Sequence, residues 1–213
     1  FDSGTLITLS MNCLLDFLRD LKKVSKVRMI ITKEVEEETV KRPMNIKKYK
    51  LGALKIKYLI DEGILEFPEA VGISKNEITK FTAQIMKEAN TTYYQHDNPI
   101  HIIDLGESSI LALSELLEEK GIENIIAIDE RTTRMLCEKP ENLKDLLERK
   151  LHTKITQRKE ADKRFRNETF IRSTELIYVA FKKGLFESKD KEFLDALLFA
   201  AKFKGAAISG EEI

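Results

Sequence analysis

The sequence predicts an α/β fold with a parallel sheet, followed by a helical extension. Three observations carry this. Short apolar runs alternate with amphipathic helical stretches through the first part of the chain. The run at 125–128 is four consecutive apolar residues, as in a strand buried on both faces. Beyond about residue 157 strand signals stop, and two helical stretches with apolar stripes remain. Alternating strands and helices build a parallel sheet with helices on its faces. The expected domains are therefore 1–156 and a helical extension, 157–213.

Each element has its own signal. Any strand ahead of Phe1 and Asp2 would lie mostly before this numbering. Residues 6–21 place Leu6, Leu9, Leu14, Phe17, Leu18 and Leu21 at helical spacing. Residues 27–31 read as a strand. Thr32 is positioned to cap a helix over 33–40 with acids in its first turn, and Pro43 is expected to end or bend it. Residues 46–61 form a basic helix stopped by Gly63, 64–67 a strand, and 74–90 a helix. A brief apolar run at 100–104 precedes a helix over 107–120, which Gly121 stops. The strand at 125–128 leads to helices over 131–138 and 142–150, and 153–156 reads as an edge strand. Helices over 173–183 and 188–204 end at Gly184 and Gly205.

The chain has 213 residues, 36 basic and 36 acidic, so its formal net charge is zero. Neutrality argues against coating nucleic acid through bulk positive charge, while leaving local patches open. Hydrophobic content of 42% suits a folded domain. No stretch is long and apolar enough to span a membrane. No signal peptide is visible, and Cys13 and Cys137 are far apart with no metal-ligand spacing, so a cytoplasmic location is expected.

Four acids stand where a core residue, a strand end or a helix start is expected. Asp129 directly follows the 125–128 strand, at the end where open parallel sheets bind ligands; it equally suits a cap for the next helix. Glu107 opens a helix whose Ile110, Leu111 and Ser114 share its face; it equally suits the helix dipole. Glu38 follows Val35 by three residues, with Glu34, Glu36 and Glu37 as competitors on what is otherwise a solvated face. Asp2 precedes the first helix and is also a candidate N-cap. Carboxylates without His or Cys beside them suit hard cations, Mg²⁺ or Mn²⁺. Without a metal, such a group holds repelling charges and raised pKa values.

At these residues the chain resembles the PIN-domain nucleases. The resemblance runs through Phe-Asp-Ser-Gly (1–4), Val-x-x-Glu (35–38), Gly-Glu (106–107) and Ile-Asp-Glu-Arg (128–131) followed by Arg134. It is similar to a group of archaeal PIN-like proteins in Ile171-Arg172-Ser173-x-Glu175-Leu176 and, more loosely, over Lys204 to Ser209. The resemblance implies a Rossmann-like three-layer α/β/α sandwich with a central parallel sheet and an acidic pocket. It also implies a metal-dependent nuclease that binds Mg²⁺ or Mn²⁺ and hydrolyses phosphodiester bonds, usually in single-stranded RNA. Its acids fall on Asp2, Glu38, Glu107 and Asp129, with Asp2, Glu107 and Asp129 as metal ligands and Glu38 as a ligand or an orienter of water. Glu130 replaces a frequent second Asp, and Glu37 is an alternative to Glu38. Ser3 is placed for a phosphate contact.

Nucleic acid must also be held. Residues 41–60 contain seven bases and no acid, including Lys47, Lys48 and Lys50, with Tyr49 and Tyr58 among them. Residues 139–166 hold ten bases and five acids. A solvated helix face explains either segment equally well. Arg131 and Arg134 are candidates for the scissile phosphate or for structural pairing. His96, His101 and His152 have no spacing that suggests an acid–base pair. Three other readings compete: an inactive nucleic-acid-binding module on the same fold, a toxin of a toxin–antitoxin pair, and a haloacid-dehalogenase-type phosphatase. The last aligns Phe1 and Ser3 with both required carboxylates and so lacks them. The aromatics after residue 169 suit either a cover for the domain or a homodimer interface.

Overall fold

The structure, a computed structural model, describes residues 1–158, 165, 168–206 and 208. It is a mixed α/β chain, mainly helical, with small sheets. In chain order, α1 (Ser3–Met11), α2 (Phe17–Ser25), β1 (Met29–Ile30) and α3 (Lys33–Glu36) lead into a π turn at Glu37–Lys41. Then come α4 (Arg42–Met44), α5 (Lys50–Asp61), β2 (Leu65–Glu66), α6 (Lys75–Ala89), β3 (Tyr93–Gln95) and β4 (Asn98–Pro99). The chain continues through α7 (Leu105–Glu119), β5 (Ile126–Ala127), α8 (Arg131–Glu138), α9 (Pro140–Leu151) and β6 (Ile155–Gln157). It closes with β7 (Phe170–Ile171), α10 (Ser173–Lys182) and α11 (Lys191–Phe203). No helix among the described residues is long and apolar enough to cross a membrane.

The chain forms two compact units. Unit 1 joins Phe1–Gly72, Ala127–Asp129 and Ile171–Ile213; unit 2 joins Ile73–Ile126 and Glu130–Phe170. Among the described residues, 157–158, 165 and 168–170 group with unit 2, and 171–206 and 208 with 1–72.

Unit 1 is organised by backbone hydrogen bonds between short extended segments. β1 and β2 pair in parallel, Met29 opposite Leu65 and Ile30 opposite Glu66. Phe1 N donates to Ile30 O at 2.8 Å, and Asp2 N–H donates to Ala127 O at 2.8 Å. Successive N–H groups of an extended chain point to opposite sides, so residues 1–2 join the β1 ladder to the β5 segment. Ile128 N–H then donates to Ile171 O at 3.0 Å. The resulting order is 65–66, 29–31, 1–2, 127–128, 171, with the first segment of the chain in the middle. Leu6, Leu9, Ile56, Leu59 and Ile177 are buried from the helices of this unit. Phe17 and Phe193 both meet the Phe186 ring edge-on, at 5.6 and 6.2 Å between centroids, so these aromatics cover the unit. Phe199 and Phe203 stay exposed.

Unit 2 is built on α7, which is buried on almost every face and packs along α6. Its buried Ser108 and Ser109 hydroxyls donate back to Asp104 O and Gly106 O, which satisfies them inside an apolar helix. A three-stranded antiparallel sheet in the order β4-β3-β6 completes the unit.

Several expected elements differ. The helix expected over 6–21 is two helices. Cys13 adopts φ +57°, and Leu14 N–H bonds back to Leu9 O, closing a left-handed stop without a glycine. The helical run from Lys33 continues past Pro43 to Met44. The apolar run at 100–104 is no strand, because the Asn90 side chain takes the place of a neighbouring strand. Its Oδ1 accepts from Ile102 N–H and Ile103 N–H at 2.6 and 3.0 Å, and its Nδ2 donates to Ile103 O at 2.9 Å. The 153–156 segment is an edge strand, but an antiparallel one. The hairpin of β3 and β4, turning at His96 and Asp97, and the strand β7 carry no expectation from the sequence. The glycine stops hold. At Gly63 and Gly121 φ is +68° and +69°, a left-handed cap that a side chain would strain.

Candidate functional site

Open parallel sheets bind ligands beyond the carboxyl ends of their strands, where strand order reverses. In unit 1 the short sheets β1-β2 and β5-β7 are bridged by the hydrogen bonds of residues 1–2, and the residues leaving that bridge are Asp2 and Asp129. Both are buried, at 3% and 4% exposure.

Asp2 is held by its own helix. It is the N-cap of α1, and its Oδ2 accepts from Gly4 N–H at 3.0 Å. A Cβ on Gly4 would lie 3.1 Å from that oxygen, so glycine lets the first turn close onto the carboxylate. The other oxygen, Oδ1, is buried without a hydrogen-bond partner. Burial lifts the Asp2 pKa to about 6; the Gly4 and Ser3 N–H groups pull it down, and the charge of Glu38 pushes it up. The N-cap reading of Asp2 is therefore correct, and it accounts for one oxygen only.

Asp129 does not cap the helix that follows it. Glu130 does so within unit 2, its Oε2 accepting from Thr133 N–H at 2.6 Å. Asp129 Oδ1 instead accepts from Ser173 N–H at 2.8 Å, at the first residue of α10. Its Oδ2 is again buried without a partner. Both aspartates thus show one pattern, with one oxygen anchored by a helix N–H and one left over.

Glu38 lies in the π turn. The widened turn brings both Thr39 and Val40 into the buried side with Val35, and leaves Glu38 half-buried. The competition among its neighbours resolves through ion pairs. Lys41 reaches Glu36 at 2.8 Å and Glu37 at 3.9 Å, and Arg42 reaches Glu37 at 3.7 Å. Glu34, read from the sequence as solvated, has a buried Oε2 without a partner. Only its burial reveals it.

Glu107 lies in unit 2, at the third position of α7, where its Oε2 accepts from Asp104 N–H at 2.6 Å. Its part as a helix-start acid is thus fulfilled. Arg131 and Arg134 are also in unit 2. Arg131 is exposed. Arg134 is 3.9 Å from Glu138, and its Nε and Nη1 are buried without partners. Ser3 is the first residue of α1.

In the basic segment of unit 1, Lys41, Arg42 and Lys57 are engaged with acids. Lys47, Lys48 and Lys50 are exposed and make no ion pair with the described residues; Lys48 Nζ lies 5.2 Å from the exposed Tyr49 ring. In the second basic segment Arg158 sits over Tyr94 at 4.8 Å. Lys159, Lys163, Arg164 and Arg166 fall outside the described residues, as does Ser209.

A hard divalent cation takes oxygen donors, and Mg²⁺ is commonly held by one or two carboxylates with water completing its shell. The unpartnered oxygens of Asp2 and Asp129 are donors of that kind. Among the described residues no group of three or more His, Cys, Asp or Glu side chains is gathered to hold a metal ion. The fit therefore rests on the two aspartates and on the charge of Glu38 near Asp2. Compared with known proteins, the chain matches no family model, no curated protein and no solved structure.

Proposed function

We propose that this chain is a Mg²⁺- or Mn²⁺-dependent nuclease of PIN-like fold that hydrolyses phosphodiester bonds in single-stranded RNA. One observation carries the reading. Asp2 and Asp129 leave adjacent hydrogen-bonded segments, and each keeps one buried oxygen unpartnered. The central position of residues 1–2 supports the sandwich arrangement that the resemblance implies.

Asp2 and Asp129 are the residues that would hold the ion. A bound ion lowers the pKa of a coordinated water and offsets charge on the non-bridging phosphate oxygens. Glu38 orients a water beside Asp2 or adds a ligand. Ser3 contacts phosphate, and Lys47, Lys48 and Lys50 hold the flanking strand, with Tyr49 available to stack on a base.

The test is cleavage of an end-labelled single-stranded RNA with Mn²⁺, Mg²⁺ or EDTA. Cleavage is expected with either metal, absent in EDTA, and reduced at least 100-fold in Asp129→Asn. Cleavage that persists unchanged in Asp129→Asn, or RNA binding with no cleavage under any metal, overturns the nuclease reading; the second result identifies a binding module.

A further inference from the structure

We infer that Ser173, through its backbone N–H at the start of α10, is a positioning residue that fixes the Asp129 carboxylate for metal binding. The inference rests on the metal-site reading above and extends it to the C-terminal helices, for which the sequence leaves a cover or a homodimer interface open.

Asp129 has two helices whose first turn it could serve. Glu130 satisfies one of them, since it accepts from Thr133 N–H. Asp129 is thereby left to turn to the other. Ser173 N–H reaches its Oδ1 at 2.8 Å, with Ser173 fully buried. An N–H to a carboxylate is a charge-assisted bond, and at the first position of a ten-residue helix it is reinforced by the helix dipole. One oxygen is fixed in this way, and the remaining Oδ2 is held in a set direction without a partner. A ligand oxygen fixed by a second group binds better than one free to rotate. The Ser173 hydroxyl takes no part, because its Oγ is buried and unpartnered. The role belongs to the main chain, so a scan to alanine would miss it.

Proline separates the two groups. Ser173 is the first helical residue, where proline is well tolerated, and Arg172 before it is extended at φ −88°, ψ 163°, as a residue preceding proline prefers. Ser173→Pro removes the N–H and preserves the helix start; Ser173→Ala keeps the N–H and removes the hydroxyl. The readout is Mn²⁺ affinity of the RNA-free protein by electron paramagnetic resonance of the metal alone, with circular dichroism as the check of folding. Ser173→Ala is expected to bind within twofold of the parent, and Ser173→Pro at least tenfold more weakly.

A second measurement does not depend on the proline variant folding. The Ser173 amide proton is expected downfield in the parent without metal, and shifted upfield in Asp129→Ala. A folded Ser173→Pro that binds Mn²⁺ like the parent, or a Ser173 amide unaffected by Asp129→Ala, overturns the inference. A parent that binds no Mn²⁺ while its Ser173 amide still responds to Asp129→Ala overturns the metal-site reading on which the positioning role depends, and leaves the hydrogen bond standing.

Discussion

Carboxylates in this chain differ by what anchors them. Glu168 shows the consequence for pH. Within unit 2 it accepts a hydrogen bond from the Ser114 hydroxyl, which is also 2.6 Å from Asn124 Oδ1. Burial lifts its pKa to about 7; the Ser114 bond opposes the rise, and the charges of Glu118 and Glu115 add to it. The same burial raises the neighbouring Cys137 thiol far above its usual value, so that thiol stays protonated. An acid whose pKa is higher folded than unfolded binds more protons in the folded state. Its contribution is therefore greatest below about pH 4.5 and is lost as pH rises through about 7. The full loss is at most about 3 kcal/mol. Glu168→Gln keeps an acceptor for Ser114 and removes the titration. Urea unfolding between pH 4.5 and 8 should show a smaller fall in stability for the variant than for the parent. Equal slopes for the two proteins would rule out this assignment.

At the scale of elements, Asn90 does work that a strand does elsewhere. It ends α6 and binds three main-chain groups of the segment leading into α7. Asn90→Ala leaves these groups without that partner next to the buried Ile102 and Ile103. The expected cost is about 3 kcal/mol, read as a lower urea midpoint at an unchanged slope. A loss under about 0.5 kcal/mol would mean that water replaces the amide fully. The same segment marks what a sequence can and cannot reveal. Signals confined to one element are legible: Thr32 caps as expected, and Gly63 and Gly121 stop their helices. Ile100 to Ile103 look like a strand because apolar alternation does not say which group supplies the hydrogen bonds. A break at Cys13 is illegible because the left-handed residue there is not glycine. The site divides along the same line. Asp2 and Asp129 are legible as acids at strand ends, since that depends on local order. The bond from Ser173 to Asp129 joins residues 44 apart in sequence and depends on tertiary structure alone.

For the whole molecule, equal numbers of acidic and basic residues mean that no bulk field attracts a polyanion. Any affinity for RNA must come from local groups whose charge is not already spent. In residues 41–60, Lys41, Arg42 and Lys57 are partly neutralised by acids four to five residues away, whereas Lys47, Lys48 and Lys50 are exposed between them. Each phosphate contact on a single strand releases a counterion and adds about 0.7 to the slope of log affinity against log salt. Three lysines then account for a slope change of about 2. Fluorescence anisotropy with a labelled single-stranded RNA, from 25 to about 200 mM KCl and without divalent metal, measures that slope directly. Replacing Lys47, Lys48 and Lys50 together by alanine should flatten it by about 2 and weaken binding most at low salt. Replacing Lys41, Arg42 and Lys57 should change it much less, because ion-paired bases have less charge to offer. If the two triple variants lose equal slope, sequence proximity rather than pairing decides which bases meet the RNA, and the local charges of this neutral chain act as an averaged patch.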